Sequence, residues 1–155
     1  MTPKNKRQNK PTTKRRVGRR RDNAHDIAFY RSPDGALPAE MYLDSVPEKI
    51  RARIRAVAME VAKAPPSKFT GGGKWKAMHG SMAGWFEIRV DGTPRRTHYR
   101  VFCLLDYEAE GRDRPLLVLI DGRTKPFRTM LSDADYRAVR ALGEAYRKTQ
   151  PRPIG

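Results

Sequence analysis

A dense set of basic side chains lies on or beside three predicted strands in the second half of the chain. The five side chains are Arg89, His98, Arg100, Arg123 and Lys125. Guanidinium and ammonium groups at this density on a small sheet suit the phosphate oxygens of RNA. The histidine is the one best placed for proton transfer near neutral pH. The combination is typical of a surface that binds a polyanion.

Alternating apolar residues predict the strands that position these groups. The predicted strands cover residues 85–90, 95–106 and 115–120. In the first strand, Glu87 and Arg89 share one face, and Asp91-Gly92 is typical of a hairpin turn. In the second, His98 and Arg100 share a face. The other two basic residues form a patch after the third strand.

Helical signals flank the strands. Residues 38–43 suit a short helix, and apolar spacing predicts a longer one over 47–64, with Ser45 as its N-cap. Ser132, followed by acidic residues, predicts the start of a last helix that ends before Pro151. A short β-prone segment, 27–31, precedes all of them.

This order predicts an α+β fold, with an N-terminal helix or helix pair and a C-terminal helix on one face of a small, curled antiparallel sheet. The other face is then free to be polar and to meet a ligand. We expect one domain over residues 25–150, preceded by a disordered basic tail over residues 1–24.

Charge and cysteine content limit the class of protein. The formal net charge is +16, and ten of the 33 Lys and Arg residues fall within the first 21 positions, which hold no acidic residue. The remainder is still basic, which favours a polyanionic partner. The single cysteine, Cys103, is expected to pack in the core and fits a reducing cytoplasm. The sequence shows no secretory signal and no membrane span.

Several motifs together resemble the RelE/ParE superfamily of toxins, close to its HigB-like and phage-derived RelE-like branch. The matching pieces, which span about residues 27–148, are Lys76-Ala-Met-His-Gly, Gly84-Trp-Phe-Glu-Ile-Arg, Tyr99-Arg-Val-Phe and Gly122-Arg-Thr-Lys. The resemblance implies a cytoplasmic toxin paired with an antitoxin protein. The best-known members cleave messenger RNA in the ribosomal decoding site without a metal, and no cofactor is expected.

The resemblance also implies roles for individual residues. Arg100 matches the family's strand arginine and is expected to stabilise the reacting phosphate, and Arg89 is expected to orient RNA or share that charge. Arg123 and Lys125 match a basic patch that binds phosphate or protonates the leaving oxygen. From the residues themselves, His98 is the candidate proton-transfer group, and Glu87 is expected to pair with an arginine.

A second set of side chains is expected to contact RNA. These are Lys74, Lys76, His79, Arg96, Arg128 and Tyr136. Tyr136 corresponds to an aromatic that stacks on a base, although its place on an apolar helical stripe equally suits core packing. The residues from Lys74 to His79 equally suit a loop that packs Trp75 against the body.

Three functions stay open from the sequence. The leading one is a ribosome-dependent messenger RNA endonuclease with ribosomal RNA contacts. The second is a non-catalytic inhibitor of DNA gyrase, the target of the ParE branch. The third is a nucleic-acid-binding accessory protein that keeps the fold without activity. The basic tail either faces nucleic acid or is a solvated arm.

Overall fold

The computed structural model describes residues 23–64, 66, 72–92 and 96–155. The predicted α+β class is confirmed, with a five-stranded sheet and three α-helices. The predicted disordered tail over residues 1–24 lies outside the described residues, except for its last two positions.

The sheet has one parallel edge. Its strands are β1 (Asp26–Phe29), β2 (Trp75–Ala77), β3 (Phe86–Gly92), β4 (Thr97–Asp106) and β5 (Leu116–Pro126), in the order β1-β5-β4-β3-β2. The helices are α1 (Pro38–Ser45), α2 (Glu48–Lys63) and α3 (Asp133–Arg147), with a 3-10 turn at Gly80–Met82. β1 runs parallel to β5, which the sequence did not predict. β3, β4 and β5 are antiparallel as predicted, and the added strand β2 is antiparallel to β3. The sheet is therefore mixed.

The helices pack on both faces of the sheet, so the expectation that they share one face is wrong. α1 and α2 bury Leu43, Ile50 and Ile54 against a face that includes Val101 and Cys103. The alternate residues of β4 and β5 point to the opposite face. There they pack against α3, in a second core that includes Phe102, Leu104, Val118, Ile120, Val139 and Tyr146. Because α3 covers only part of this second face, the face has an apolar half under α3 and a charged half beyond it.

The two predicted helix caps have different outcomes. Ser132 caps α3 as predicted, in a capping box with Asp135, which stabilises the free N–H groups of the first turn. The predicted cap at Ser45 is wrong: Pro47 holds the N-cap position of α2 without a side-chain cap bond. The Ser45 hydroxyl instead donates to the carbonyl of Tyr42, in α1.

Two strands extend beyond their predicted ends. β3 continues through Asp91 and Gly92, which pair with His98 and Thr97, so the predicted turn at Asp91-Gly92 is wrong. β5 continues to Pro126, so Arg123 and Lys125 lie within the strand and not after it. Antiparallel pairing with β4 outweighs the weak strand propensity of this polar stretch.

The region between α2 and β3 holds the added edge strand β2. Trp75 is buried there, with its indole N–H 2.9 Å from the carbonyl of Pro66 and its ring stacked on Phe86 at 4.9 Å. The packing of Trp75 against the body is thus confirmed.

Residues 151–155 belong to the folded unit, although the predicted domain ended at residue 150. Ile154 forms a β-bridge with Tyr30, and the N–H of Gly155 donates to the carbonyl of Phe29. Arg152 forms an ion pair with Asp106, 2.8 Å from its Nε. The C-terminal segment therefore covers the outer edge of β1.

Candidate functional site

The five predicted catalytic side chains lie together on one face of the sheet. Strand register pairs Arg89 with Arg100, and Arg100 with Arg123, in one row across β3, β4 and β5. The next row pairs His98 with Lys125. Direct cross-strand partners have Cβ atoms about 4.5–5.5 Å apart. Sheet pairing thus concentrates charges that are up to 36 residues apart in the chain.

Tyr136 marks the boundary between the charged half of this face and the half under α3. The Tyr136 ring is half-buried and meets the edge of Phe102, at 6.2 Å between centroids and 83° between planes. Burial raises the pKa of the Tyr136 hydroxyl, and the nearby charge of Glu87 raises it further. Its predicted base-stacking role stays a prediction, and its ring already has a partner in the core.

Arg100 is the central group of the site and is almost fully buried, with 3% of the residue exposed. Its Nη1 donates to Asp91 Oδ1 at 3.1 Å and to the carbonyl of Tyr99 at 3.0 Å. Glu87 Oε1 lies 4.0 Å from its Nε and 3.4 Å from Nε of Arg89. Glu87 is thus the arginine partner that the sequence predicted. With so little exposed surface, Arg100 can act on a ligand at this face mainly through its charge.

Asp91 is a site residue that the sequence prediction missed. Its Oδ1 lies 2.6 Å from Nδ1 of His98 and also accepts the bond from Arg100. Partial burial raises the pKa of Asp91, but the bonds from His98 and Arg100 outweigh this, so its pKa is lowered overall. The ionised carboxylate orients His98: with its hydrogen on Nδ1, the ring keeps Nε2 as a proton acceptor. The signal that could have found Asp91 is strand alternation, because it lies two residues beyond Arg89 and four beyond Glu87 on the same face of the strand.

Lys125 differs from the arginines because no carboxylate among the described residues pairs with it. Partial burial lowers the pKa of its ammonium, and the charges of Arg100 and Arg89 lower it further against the opposing effect of Glu87 and Asp91. A lysine in this environment releases its proton more easily than a solvated lysine.

Arg123 links the charged row to the start of α3. Its Nη1 lies 2.6 Å from Asp121 Oδ2, and its Nε lies 3.4 Å from Asp135 Oδ1 in the capping box. On the opposite face, the Tyr42 hydroxyl donates to the Arg123 carbonyl at 3.0 Å. Gly122 has no side chain where the Tyr42 ring packs, and a Cβ there would collide with that ring. Close packing therefore holds β5 in place from both sides.

The predicted RNA contacts other than Tyr136 fall into two groups. Near β2, Lys76 is the cross-strand partner of Glu87, the carbonyl of Lys74 accepts from the N–H of Arg89, and His79 is exposed. At the other end of the sheet, Arg96 and Arg128 lie against Phe127. The first group extends the charged face to the edge strand, whereas the second forms a separate cluster beside Lys125.

Within the described ranges, no group of three or more His, Cys, Asp or Glu residues is placed to hold a metal ion. None of the described helices is long and apolar enough to cross a membrane. Cys103 is fully buried in the core as predicted, and burial raises its pKa. No protein-family model matches the chain. No curated protein and no solved structure matches it either.

Proposed function

We propose that this protein binds RNA on the charged half of its sheet and cleaves it, as an endonuclease of the RelE-like type. One observation carries the proposal: Arg89, Arg100 and Arg123 lie in one cross-strand row, beside a row that holds His98 and Lys125. Phosphate stabilisation and proton transfer need these group types within a few ångströms of each other.

The proposed reaction uses the ribose 2′-hydroxyl as its nucleophile. His98 Nε2 accepts the 2′-hydroxyl proton while the 2′-oxygen attacks phosphorus and the bond from phosphorus to the 5′-oxygen breaks. Lys125 donates a proton to the leaving 5′-oxygen, and its lowered pKa favours that donation. The products are a 2′,3′-cyclic phosphate and a 5′-hydroxyl.

The arginine row supplies positive charge for the transition state. Arg89 and Arg123 are partly exposed, and in this proposal they donate to phosphate oxygens while the buried Arg100 contributes its charge. Fixed cations in a partly dry site stabilise the developing negative charge without rearranging during the reaction. Asp91 keeps His98 and Arg100 in position.

The biological setting of the proposal comes from the sequence resemblance. It implies messenger RNA on the ribosome as the substrate, in the cytoplasm, and an antitoxin protein as the partner. An antitoxin with an acidic segment would suit the charged face. The basic N-terminal tail would add non-specific attraction to ribosomal RNA.

A second candidate function is nucleic-acid binding without cleavage. The observation in its favour is that carboxylates already pair with each arginine of the row: Glu87 with Arg89, Asp91 with Arg100, and Asp121 with Arg123. These acids reduce the net charge of the face, so a phosphate must compete with them.

The deciding experiment is brief induced expression of the full chain, followed by mapping of RNA 5′ ends across the transcriptome. His98→Gln and Lys125→Met remove the proposed proton acceptor and donor. Lys49→Met is the matched control, because Lys49 is an exposed lysine of α2, on the other side of the sheet. Arg100→Ala is less suitable because it would remove a buried guanidinium that contacts both Glu87 and Asp91, so a loss of cutting could come from a disturbed fold.

The proposal expects new cuts confined to translated frames, lost in the first two variants and kept in the control. Growth arrest with intact RNA would instead favour gyrase or another binding target. Absence of both arrest and cuts would favour the accessory binding protein.

A further inference from the structure

The end of the sheet beside Lys125 carries an exposed aromatic ring between two arginines. Phe127 directly follows β5 and is 38% exposed. The guanidinium carbon of Arg96 lies 4.9 Å from the centroid of the Phe127 ring, and that of Arg128 lies 5.3 Å from it. The His98 ring is tilted against the same ring at 5.3 Å. An exposed aromatic surrounded by cations is the pattern that base-stacking sites use.

Both arginines have unusual backbone conformations. Arg96 has φ of +55° and Arg128 has φ of +64°, and they are the two described non-glycine residues with positive φ. Left-handed backbone disfavours side chains with a Cβ, and such residues cluster at ligand-binding sites. Here the left-handed turns bring both guanidinium groups to one aromatic ring.

These cations are also more available to a phosphate than those of the arginine row. Arg89, Arg100 and Arg123 each pair with a carboxylate. Among the residues that the structure describes, neither Arg96 nor Arg128 forms an ion pair, and each lies over the Phe127 ring. Lys125 likewise forms no ion pair among the described residues. A phosphate that approaches this end therefore displaces no carboxylate.

A groove lies next to this cluster. Its cavity volume is about 510 Å³, within the range of small-ligand sites. One part of its lining holds Arg96, Lys125 and Phe127, and another part holds the apolar groups of Val46 and Pro47. The groove thus offers both an aromatic and aliphatic surface for a base and cations for its phosphate.

We propose that this groove binds one nucleotide of single-stranded RNA, with its base stacked on Phe127 and its phosphate against Arg96 and Lys125. The incoming base displaces one guanidinium from the Phe127 ring, and the released guanidinium pairs with phosphate. This proposal rests on the proposed function, because it takes RNA as the ligand. It makes Phe127, and not Tyr136, the aromatic that contacts a base.

The test measures binding of the full chain to fluorescent RNA pentamers by anisotropy, with one pentamer carrying bases and the other abasic at every position. Stacking contributes a factor of roughly 5 to 150 in affinity per base. We therefore expect Phe127→Ala to weaken binding of the base-carrying pentamer by about tenfold and to leave the abasic pentamer unchanged. Met130→Ala is the matched control, since Met130 is an exposed apolar residue three positions away.

A structural role for Phe127 would weaken both pentamers equally, and that result would overturn the proposal. Equal binding of the base-carrying pentamer by wild type and Phe127→Ala, or no binding by wild type, would also overturn it. A DNA pentamer that shows the same loss would mean that the groove does not distinguish RNA from DNA, and would overturn its assignment to RNA. The binding readout needs no cleavage. A chain that does not cut RNA but loses base-dependent binding in Phe127→Ala refutes the endonuclease and keeps this site.

Discussion

Replacing Arg152 by Met tests the buried ion pair that attaches the C-terminal segment to the sheet. Arg152 Nε lies 2.8 Å from Asp106 Oδ2, with 5% of the arginine side chain and none of the aspartate side chain exposed. The Tyr146 hydroxyl donates to the same oxygen at 2.6 Å, and the N–H of Glu108 donates to Oδ1. The substitution therefore leaves a buried carboxylate with two hydrogen bonds and no counter-charge.

The expected cost follows from this burial. Removing one partner of a buried pair typically costs about 3–5 kcal/mol. The two hydrogen bonds that Asp106 keeps place the loss near the lower end, at about 3 kcal/mol. For a chain of this length, this lowers the unfolding midpoint by roughly 6–12 °C. Urea and thermal unfolding, followed by far-UV circular dichroism, measure both quantities.

Acid pH gives a second readout of the same pair. Burial raises the pKa of Asp106, but the Tyr146, Glu108 and Arg152 bonds outweigh it and lower the pKa below its usual 3.8. A lowered folded-state pKa stabilises the fold above 3.8, and this contribution is lost as the pH falls through the folded-state pKa. The difference between wild type and Arg152→Met should therefore shrink below about pH 4.

An exposed ion pair supplies the control. Arg55 lies 3.2 Å from Glu40, but 44% and 37% of these side chains are exposed, so Arg55→Met should cost less than about 1 kcal/mol. Equal costs for the two substitutions would refute the reasoning, because it depends on burial and not on the presence of an ion pair. A pH-independent difference for Arg152→Met would refute the charge-based explanation.

Three further predictions concern the candidate site. Asp91→Asn keeps the shape of the side chain but removes the charge that orients His98. We expect at least a tenfold loss of RNA cuts in 5′-end mapping, and unchanged cutting would contradict this role. Less than about 1 kcal/mol of stability should be lost in urea, because 61% of the Asp91 side chain is exposed and the Asn oxygen still accepts from Arg100. Because the pKa of Lys125 is lowered, RNA affinity should fall as the pH rises toward 10, and it should fall less in Lys125→Arg. Anisotropy with 2′-fluoro RNA measures both, and identical pH profiles for the two proteins would contradict this expectation. Gly122→Ala forces a methyl group against the Tyr42 ring and should cost about 1–3 kcal/mol in thermal unfolding, whereas a neutral result would mean that the ring moves freely.

Local sequence was sufficient for much of the fold. Apolar spacing in α2 and the Ser132 cap of α3 act within a few residues, so their positions followed from the chain itself. Strand ends were less predictable. Asp91 and Gly92 have the composition of a turn, yet pairing with β4 extends β3 through both of them.

The site was predictable as a set of residues and less so as an arrangement. Alternation alone put His98 and Arg100 on one face of β4. The row of three arginines also needs the register of β3 and β5 against β4, which short-range patterns do not encode. The sequence missed Asp91 and Phe127 because their roles depend on contacts with residues from another strand or from the end of the sheet.

By itself, the sequence determined the class of fold, the helix with the strongest apolar stripe, the basic character of the chain and the side chains available for phosphate chemistry. These properties depend on composition and on periodicity within one element. Only the tertiary structure decided which cations are paired with acids and which lack an ion pair, because ion pairing depends on distances across strands. It also decided that Arg100 is buried while Phe127 is exposed, since burial depends on which elements pack around each side chain.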